Sequence, residues 1–191
     1  MVGLKRLASL LAGAALLAGA TLLAGTAAYA APDEYQVKAV FLFNFSQFVE
    51  WPEVSLGAPG TPFPICVYGA ERFGGQLEAA VQNESVHGHP LRVRRLAQHD
   101  AAEECRMVFI GETQTAQLDQ LLQEMHEHPV LTVSDISGAA ERGTMIQFTN
   151  DKQRLRLRIN VGAARAAGLT ISSQLLRPAE IVGPMEGEPH A

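Results

Sequence analysis

Residues 63–69, FPICVYG, set the pattern from which the fold is predicted. Residues 63–68 form a short apolar run that predicts a strand, and residues 73–82 have the spacing of a helix. The alternation continues in the next third of the chain. Further strands are predicted at 91–96, 105–110 and 130–133, with a helix at 113–126. Such alternation is typical of an α/β layered domain.

The C-terminal third departs from this alternation. Residues 145–148 and 155–159 predict two strands, and the intervening TNDKQ (149–153) predicts a hairpin. Asn160 can cap a short helix that ends at Gly168, and residues 171–181 predict a last short element. We therefore expect an α/β fold: a single layered domain with a mixed, mostly parallel sheet flanked by helices and a C-terminal β-hairpin.

Upstream of residue 63, the most apolar segment predicts a helix between Asp33, as its N-cap, and Pro52, which stops it. Its apolar positions at helical spacing are Val37, Val40, Phe41, Phe45, Phe48 and Trp51. Because apolar residues nearly encircle it, this helix should be buried on several sides or contact another chain. The predicted partner or dimer surface is Phe41, Phe45, Phe48 and Trp51. Residues 53–62 predict a Pro/Gly loop.

Both ends of the chain lie outside the predicted domain, which spans residues 31–182. Lys5 and Arg6, a following apolar run and Ala28-Tyr29-Ala30 have the pattern of a secretory signal peptide, cleaved after Ala30. We expect the mature chain in the periplasm. Residues 183–191, GPMEGEPHA, are polar and rich in Pro and Gly, which predicts a disordered tail.

Composition excludes several classes of protein. The chain has 191 residues, 47% hydrophobic, with 15 Lys+Arg and 20 Asp+Glu, which is unlike collagen, disulfide scaffolds or disordered chains. Residues 1–30 hold two of the cations and no acid, so the mature net charge falls from −5 to −7. An acidic domain is a poor general binder of nucleic acid or anionic lipid. A domain of this size can bury enough apolar surface to fold without a cofactor, and we expect none.

The two cysteines, Cys66 and Cys105, are assigned to different strands. In an oxidising compartment they can form a structural disulfide if those strands are neighbours. A redox sensor and two unpaired thiols are the alternatives. A single pair at this separation predicts no metal site.

Other motifs give little support for an enzyme. His87/His89 and His126/His128 have H-x-H spacing but lie in polar turns without a third ligand, so solvated loop histidines are favoured over zinc. Residues 69–75 follow a strand, yet they lack the residues of a phosphate loop and predict a turn. No nucleophile elbow is present, and we predict no catalytic residue.

Two predicted strands carry alternating cations. The residues are Arg92, Arg94, Lys152, Arg154, Arg156 and Arg158. Because strand side chains alternate, these cations should share a face opposite the apolar residues. That face could bind an anionic ligand or an acidic partner, or it could be a solvated edge that discourages aggregation.

Several blocks in order resemble the YfiR-like proteins, a family of periplasmic regulators. The blocks are YQVKAVF (35–41), NFSQFVEWP (44–52), ICVYG (65–69), FG (73–74), Cys105 with VFI (108–110), VLTVSD (130–135), Gly143 with MI (145–146) and Phe148, IN (159–160), AAGL (166–169), ISS (171–173) and LLR (175–177). They extend over nearly all of the mature chain. Pro178 follows Arg177 where relatives tend to continue the terminal helix.

The resemblance implies a homodimeric α/β domain without catalytic activity. It implies that the protein represses an inner-membrane diguanylate cyclase by binding the periplasmic sensor domain of the cyclase, which limits cyclic-di-GMP signalling and biofilm formation. An outer-membrane lipoprotein is the implied sequestering partner. The alternative hypothesis, from another class, is a periplasmic small-ligand receptor that uses the basic strand face as an anion site.

Overall fold

The computed structural model describes residues 33–69, 71–97, 100–152 and 154–183. The predicted signal peptide, and the predicted tail apart from Gly183, lie outside these residues. The helices are α1 Glu34–Phe48, α2 Glu53–Leu56, α3 Gln76–Val81, α4 Leu118–Met125, α5 Val161–Ala166 and α6 Ser173–Leu176. The strands are β1 Val49–Glu50, β2 Phe63–Tyr68, β3 Ser85–Val86, β4 His89–Leu96, β5 Met107–Ile110, β6 Leu131–Ser134, β7 Ile146–Asp151, β8 Arg154–Asn160, β9 Thr170–Ile171 and β10 Glu180–Val182. Within the described ranges, no helix is long and apolar enough to cross a membrane.

An eight-stranded sheet forms the centre of the domain, in the order β10-β8-β7-β6-β5-β2-β4-β3. The pairs β10/β8, β7/β6, β6/β5, β5/β2 and β2/β4 are parallel. The hairpin β7/β8 and the short edge pair β3/β4 are antiparallel. A separate two-stranded antiparallel sheet joins β1 to β9. The predicted fold class, an α/β domain with a mixed and mostly parallel sheet, is confirmed.

The two faces of the sheet bury alternate residues of the same strands, as strand geometry requires. On one face, which we call the aromatic face, residues such as Ile65 and Phe109 pack beneath α1, α3 and α5. On the other, the disulfide face, Cys66 and Val108 pack with the apolar side chains of α4. Three central strands, β2, β5 and β6, are therefore buried on both sides.

The first helix differs from its prediction in both end and orientation. It ends at Phe48, because Val49 and Glu50 leave it to pair with Ile171 and Thr170; Pro52 instead precedes α2, inside the predicted loop. Its buried positions are Tyr35, Lys38, Ala39, Leu42, Phe45 and Ser46. The apolar positions at helical spacing do not coincide with the buried side, because polar Lys38 and Ser46 are buried while apolar Val40 is exposed.

Two other predicted helices are shorter than expected at their N-terminal ends. The helix predicted at 73–82 begins at Gln76, after a 3₁₀ turn at Glu71–Phe73 and Gly74, whose φ is +51°. That backbone angle is outside the helical region and suits glycine. The helix predicted at 113–126 begins at Leu118, after a 3₁₀ turn at Glu112–Gln114.

The C-terminal hairpin is confirmed, with a tighter turn than predicted. Its strands pair as far as Asp151 and Arg154, so residues 152 and 153 alone connect them. Lys152 has a φ of +50° and belongs to the turn, not to the strand face on which it was predicted. Asn160 caps α5 as expected, since its Oδ1 accepts a hydrogen bond from the Ala163 N–H at 2.9 Å.

Candidate functional site

A cleft of about 380 Å³ lies where the parallel strands end, and we call it the carboxyl-edge cleft. Arg72 follows β2, Glu112 follows β5 and Asp135 follows β6, so three strand ends contribute charged side chains to one place. The chain passes from β2 to β4 on one side and then to β5 on the other. In open α/β sheets, ligands bind in the crevice at such a reversal of strand order.

Asp135 and Lys38 form a buried ion pair in this cleft. Lys38 Nζ lies 2.7 Å from Asp135 Oδ2, and the two side chains are 3% and 7% exposed. Lys38 Nζ also lies 2.7 Å from the Glu34 carboxylate. The Tyr35 hydroxyl donates a second hydrogen bond, 2.7 Å long, to Asp135 Oδ2. Through these contacts, Tyr35 and Lys38 in the first turns of α1 bind Asp135, which directly follows β6.

The aromatic ring of Tyr35 contacts two cations. Lys38 Nζ lies 4.3 Å and the Arg72 guanidinium carbon 4.6 Å from its centroid. Burial, together with the hydrogen bond to Asp135, raises the pKa of Tyr35 well above its usual range. Tyr35 is therefore a neutral hydrogen-bond donor to Asp135 at neutral pH.

Sequence reasoning did not predict this cleft, although two of its residues stand out in the sequence. Lys38 is a cation within a strongly apolar helix, and a lysine is rarely buried without a partner. Asp135 directly follows a buried parallel strand, the position from which side chains reach a ligand crevice. Nothing local paired the two residues, which are separated by 97 positions.

The four predicted surface residues of the first helix fall into two groups. Phe45 is fully buried and Trp51 is 7% exposed, and Trp51 Nε1 donates a hydrogen bond to the Arg106 carbonyl oxygen at 3.0 Å. Both belong to the core of their own chain. Phe41 and Phe48 are half-buried. They lie with half-buried Val37 and 49% exposed Val40 on one side of α1, which we call the α1 outer face.

The six predicted basic residues also divide into two groups. Strands β4 and β8 are separated by four other strands, so Arg92 and Arg94 lie roughly 24 Å from the cations of β8. Arg94 pairs with Glu104 at 3.1 Å, and Arg158 pairs with both Glu141 and Glu180. The structure therefore does not bring the six together in one face.

Within β8, Arg154 and Arg156 are exposed and point to the disulfide side of the sheet. The pKa of Arg158 is raised by its hydrogen bonds to Glu180 and Glu141, so that guanidinium is held in a structural network. The two outer arginines are the part of the strand that a partner could reach.

Cys66 and Cys105 form a disulfide, as predicted, with their Cα atoms 6.1 Å apart. Cys66 lies in β2, and Cys105 lies two residues before the start of β5, the adjacent strand. Both residues are fully buried. Their bond crosslinks the centre of the sheet beneath the disulfide face.

One of the four loop histidines differs from its prediction. His89 is buried, and its Nδ1 lies 2.9 Å from the Thr61 carbonyl oxygen, while His87, His126 and His128 are exposed.

The glycine that follows β2 lies in a closely packed turn, in which a Cβ at Gly69 would lie 2.2 Å from Thr113 Oγ1. Gly69 is needed there because of this close approach.

Comparison with known proteins agrees with the architecture. A family model described as YfiR/HmsC-like matches residues 35–180. Among solved structures, a conserved domain protein from Vibrio cholerae O1 biovar El Tor is 16% identical, with a TM-score of 0.50. The alignment covers 62% of this chain and 54% of that chain. At this identity the likeness concerns the fold alone.

Proposed function

Because the chain belongs to the YfiR/HmsC-like family, we propose that it represses an inner-membrane diguanylate cyclase by binding the periplasmic sensor domain of that enzyme. Proteins of this family are periplasmic regulators and not catalysts, and they act with membrane diguanylate cyclases. The observation that carries the proposal is the family match, which extends from the start of α1 to β10.

In this proposal the mature chain, beginning at Ala31, acts in the periplasm as a homodimer. Occupation of the sensor domain holds the cyclase inactive, which limits cyclic-di-GMP synthesis and biofilm formation. An outer-membrane lipoprotein relieves repression by sequestering the regulator. The protein contributes a binding surface and performs no chemistry.

The α1 outer face is the surface that we assign to protein contact. Val40, which is 49% exposed, is one of two large apolar side chains that are exposed in the described ranges, and it belongs to this face. Phe41 and Phe48, which lie on the same side of the helix, are half-buried. Aromatic side chains at partly exposed positions supply much of the binding energy of protein interfaces.

Arg154 and Arg156 are assigned a second role, the electrostatic attraction of an acidic partner. Opposite charges act mainly on the association rate, and salt weakens their effect. Reversing both charges should slow association and flatten its salt dependence without unfolding the chain. Unchanged kinetics across a salt series would leave β8 as a charged strand that protects the sheet from aggregation.

Val40→Glu tests the α1 outer face. It places a charge on an exposed position, and so it should abolish or strongly weaken binding to the purified sensor domain while the melting temperature stays nearly unchanged. Biolayer interferometry measures binding, and light scattering of the same samples measures the oligomeric state. In cells, the variant should raise cyclic-di-GMP.

Val54→Glu is the matched control, because Val54 on α2 is 95% exposed and undergoes the same chemical change. It should bind as the wild type does. Normal binding by Val40→Glu, or equal losses in both variants, would show that the α1 outer face is not the contact. Absence of binding by the wild-type chain would overturn the proposed function itself.

A further inference from the structure

The carboxyl-edge cleft contains a buried acceptor that the ion pair does not use. Asp135 Oδ1 is buried and accepts no hydrogen bond from any residue that the structure describes. We propose that this cleft binds a small organic cation through a primary ammonium group that donates a hydrogen bond to Asp135 Oδ1. The site would be additional to the contact with a cyclase.

The two oxygens of Asp135 have different environments. Oδ2 accepts hydrogen bonds from the Tyr35 hydroxyl and from Lys38 Nζ, each 2.7 Å long. The side chain that carries Oδ1 is 7% exposed and lines the cleft. A buried carboxylate oxygen without a donor is costly, and a charged N–H donor is its strongest partner.

The charges of the lining favour a cation. Glu34, Glu112 and Asp135 contribute three negative charges, and Lys38 and Arg72 contribute two positive ones. Lys38 is already engaged by both Glu34 and Asp135. One monovalent cation would therefore make the lining neutral, whereas an anion would add to its excess negative charge.

The donor set favours an ammonium group over a metal ion. A hard metal ion takes six or more oxygen ligands, and among the described residues no group of three or more His, Cys, Asp or Glu side chains is placed to hold one. The ring of Phe148 also lines the cleft, and it lies 6.0 Å from Lys38 Nζ. Cations are attracted to aromatic rings at about this distance, so a second ammonium is compatible with the same wall.

Three probes of equal carbon length test the proposal on the purified oxidised chain. These are n-butylammonium, n-butanol and n-butyrate, which differ in charge at one end. Isothermal titration calorimetry should detect binding of n-butylammonium, and the same compound should raise the melting temperature. Equal binding of n-butanol, stronger binding of n-butyrate, or no binding of any probe would overturn the proposal.

Glu112→Gln removes one negative charge from the lining and leaves the Lys38–Asp135 pair intact. Because Glu112 is exposed, the variant should remain folded, and its affinity for n-butylammonium should fall about three- to tenfold. Glu103→Gln, an exposed acid outside the lining, is the matched control and should retain wild-type affinity. Equal losses would show a general charge effect and no site.

Asp135→Asn is the direct test of the acceptor and should abolish binding if the variant folds. Since that change also disturbs Lys38, Glu112→Gln with its control decides the question if Asp135→Asn does not fold. No cyclase is present in these measurements, so their outcome is separate from that of the proposed function.

Discussion

The two faces of the central sheet are stabilised by different means. The aromatic face buries a cluster of rings, in which Phe45 stacks on Phe148 at 5.7 Å and Phe73 meets Phe109 edge to face at 5.0 Å. The disulfide face has a smaller apolar cluster, whose helix α4 is only eight residues long. There the Cys66–Cys105 bond links β2 covalently to the segment that leads into β5.

This difference separates two sources of stability. Burial of large rings stabilises the folded state through lost apolar surface and close packing. A disulfide acts mainly on the unfolded chain, whose freedom it restricts. The stability lost by a substitution on the aromatic face should therefore depend on the side-chain volume removed. The stability contributed by the disulfide face should depend on whether the disulfide is oxidised or reduced.

Phe45→Ala should produce the largest effect, a loss of about 5 kcal/mol in the free energy of unfolding. Phe45 is fully buried and contacts the rings of Phe41 and Phe148, so its removal leaves a cavity that cannot easily collapse. Chemical denaturation measures the change. Phe48→Ala is the control and should cost much less, because Phe48 is only half-buried.

Removal of the disulfide should cost about 4 kcal/mol, since the crosslinked cysteines are 39 residues apart. The variant Cys66→Ala with Cys105→Ala should unfold at a lower denaturant concentration than the oxidised wild type. Reductant should lower the stability of the wild type and leave the variant unchanged. A wild type insensitive to reductant under denaturing conditions would contradict this account.

The smallest expected effect concerns Tyr35 and depends on pH. The pKa of Tyr35 is raised in the folded state above the 10.0 of an ordinary tyrosine. The stability it contributes is therefore fully present below pH 10 and is lost as pH rises above 10 towards the folded-state value.

Tyr35→Phe should cost about 1 kcal/mol at neutral pH, for the hydrogen bond to Asp135. The difference from the wild type should shrink above pH 10, because the variant has no hydroxyl to ionise there. Tyr68, whose pKa is also raised by burial, remains in both proteins and cancels in the comparison. A constant difference across the pH series would show that Tyr35 is not coupled to folding.

The sheet was predictable from the sequence because its strands are short apolar runs separated by turn residues. The hairpin from Ile146 to Asn160 was found for this reason, and so was the cap at Asn160. The disulfide was predicted on the condition that the strands assigned to Cys66 and Cys105 are neighbours, which the structure shows. The hairpin and the cap depend on local sequence, which pattern reasoning can detect.

The orientation of α1 and the carboxyl-edge cleft were not predictable in the same way. Apolar residues surround α1, so periodicity could not choose the buried side, and Phe45 was placed on the same surface as Phe41. Lys38 decides which side of α1 is buried, because its ammonium group pairs with the buried carboxylate of Asp135. Such a pair forms between distant elements, and a single sequence does not reveal it.

The small sheet of β1 and β9 has a consequence for the order in which the chain can fold. Val49 pairs with Ile171, and the Ser172 N–H donates to the Phe48 carbonyl oxygen at 2.9 Å, so the end of the first helix is completed by residues from the last part of the chain. Contacts between such distant residues require closure of a long loop and slow folding. A nascent chain therefore cannot complete the pairing of β1 with β9 until residue 171 has been synthesised, so the C-terminal end of the first helix is the last part of the N-terminal region to be fixed.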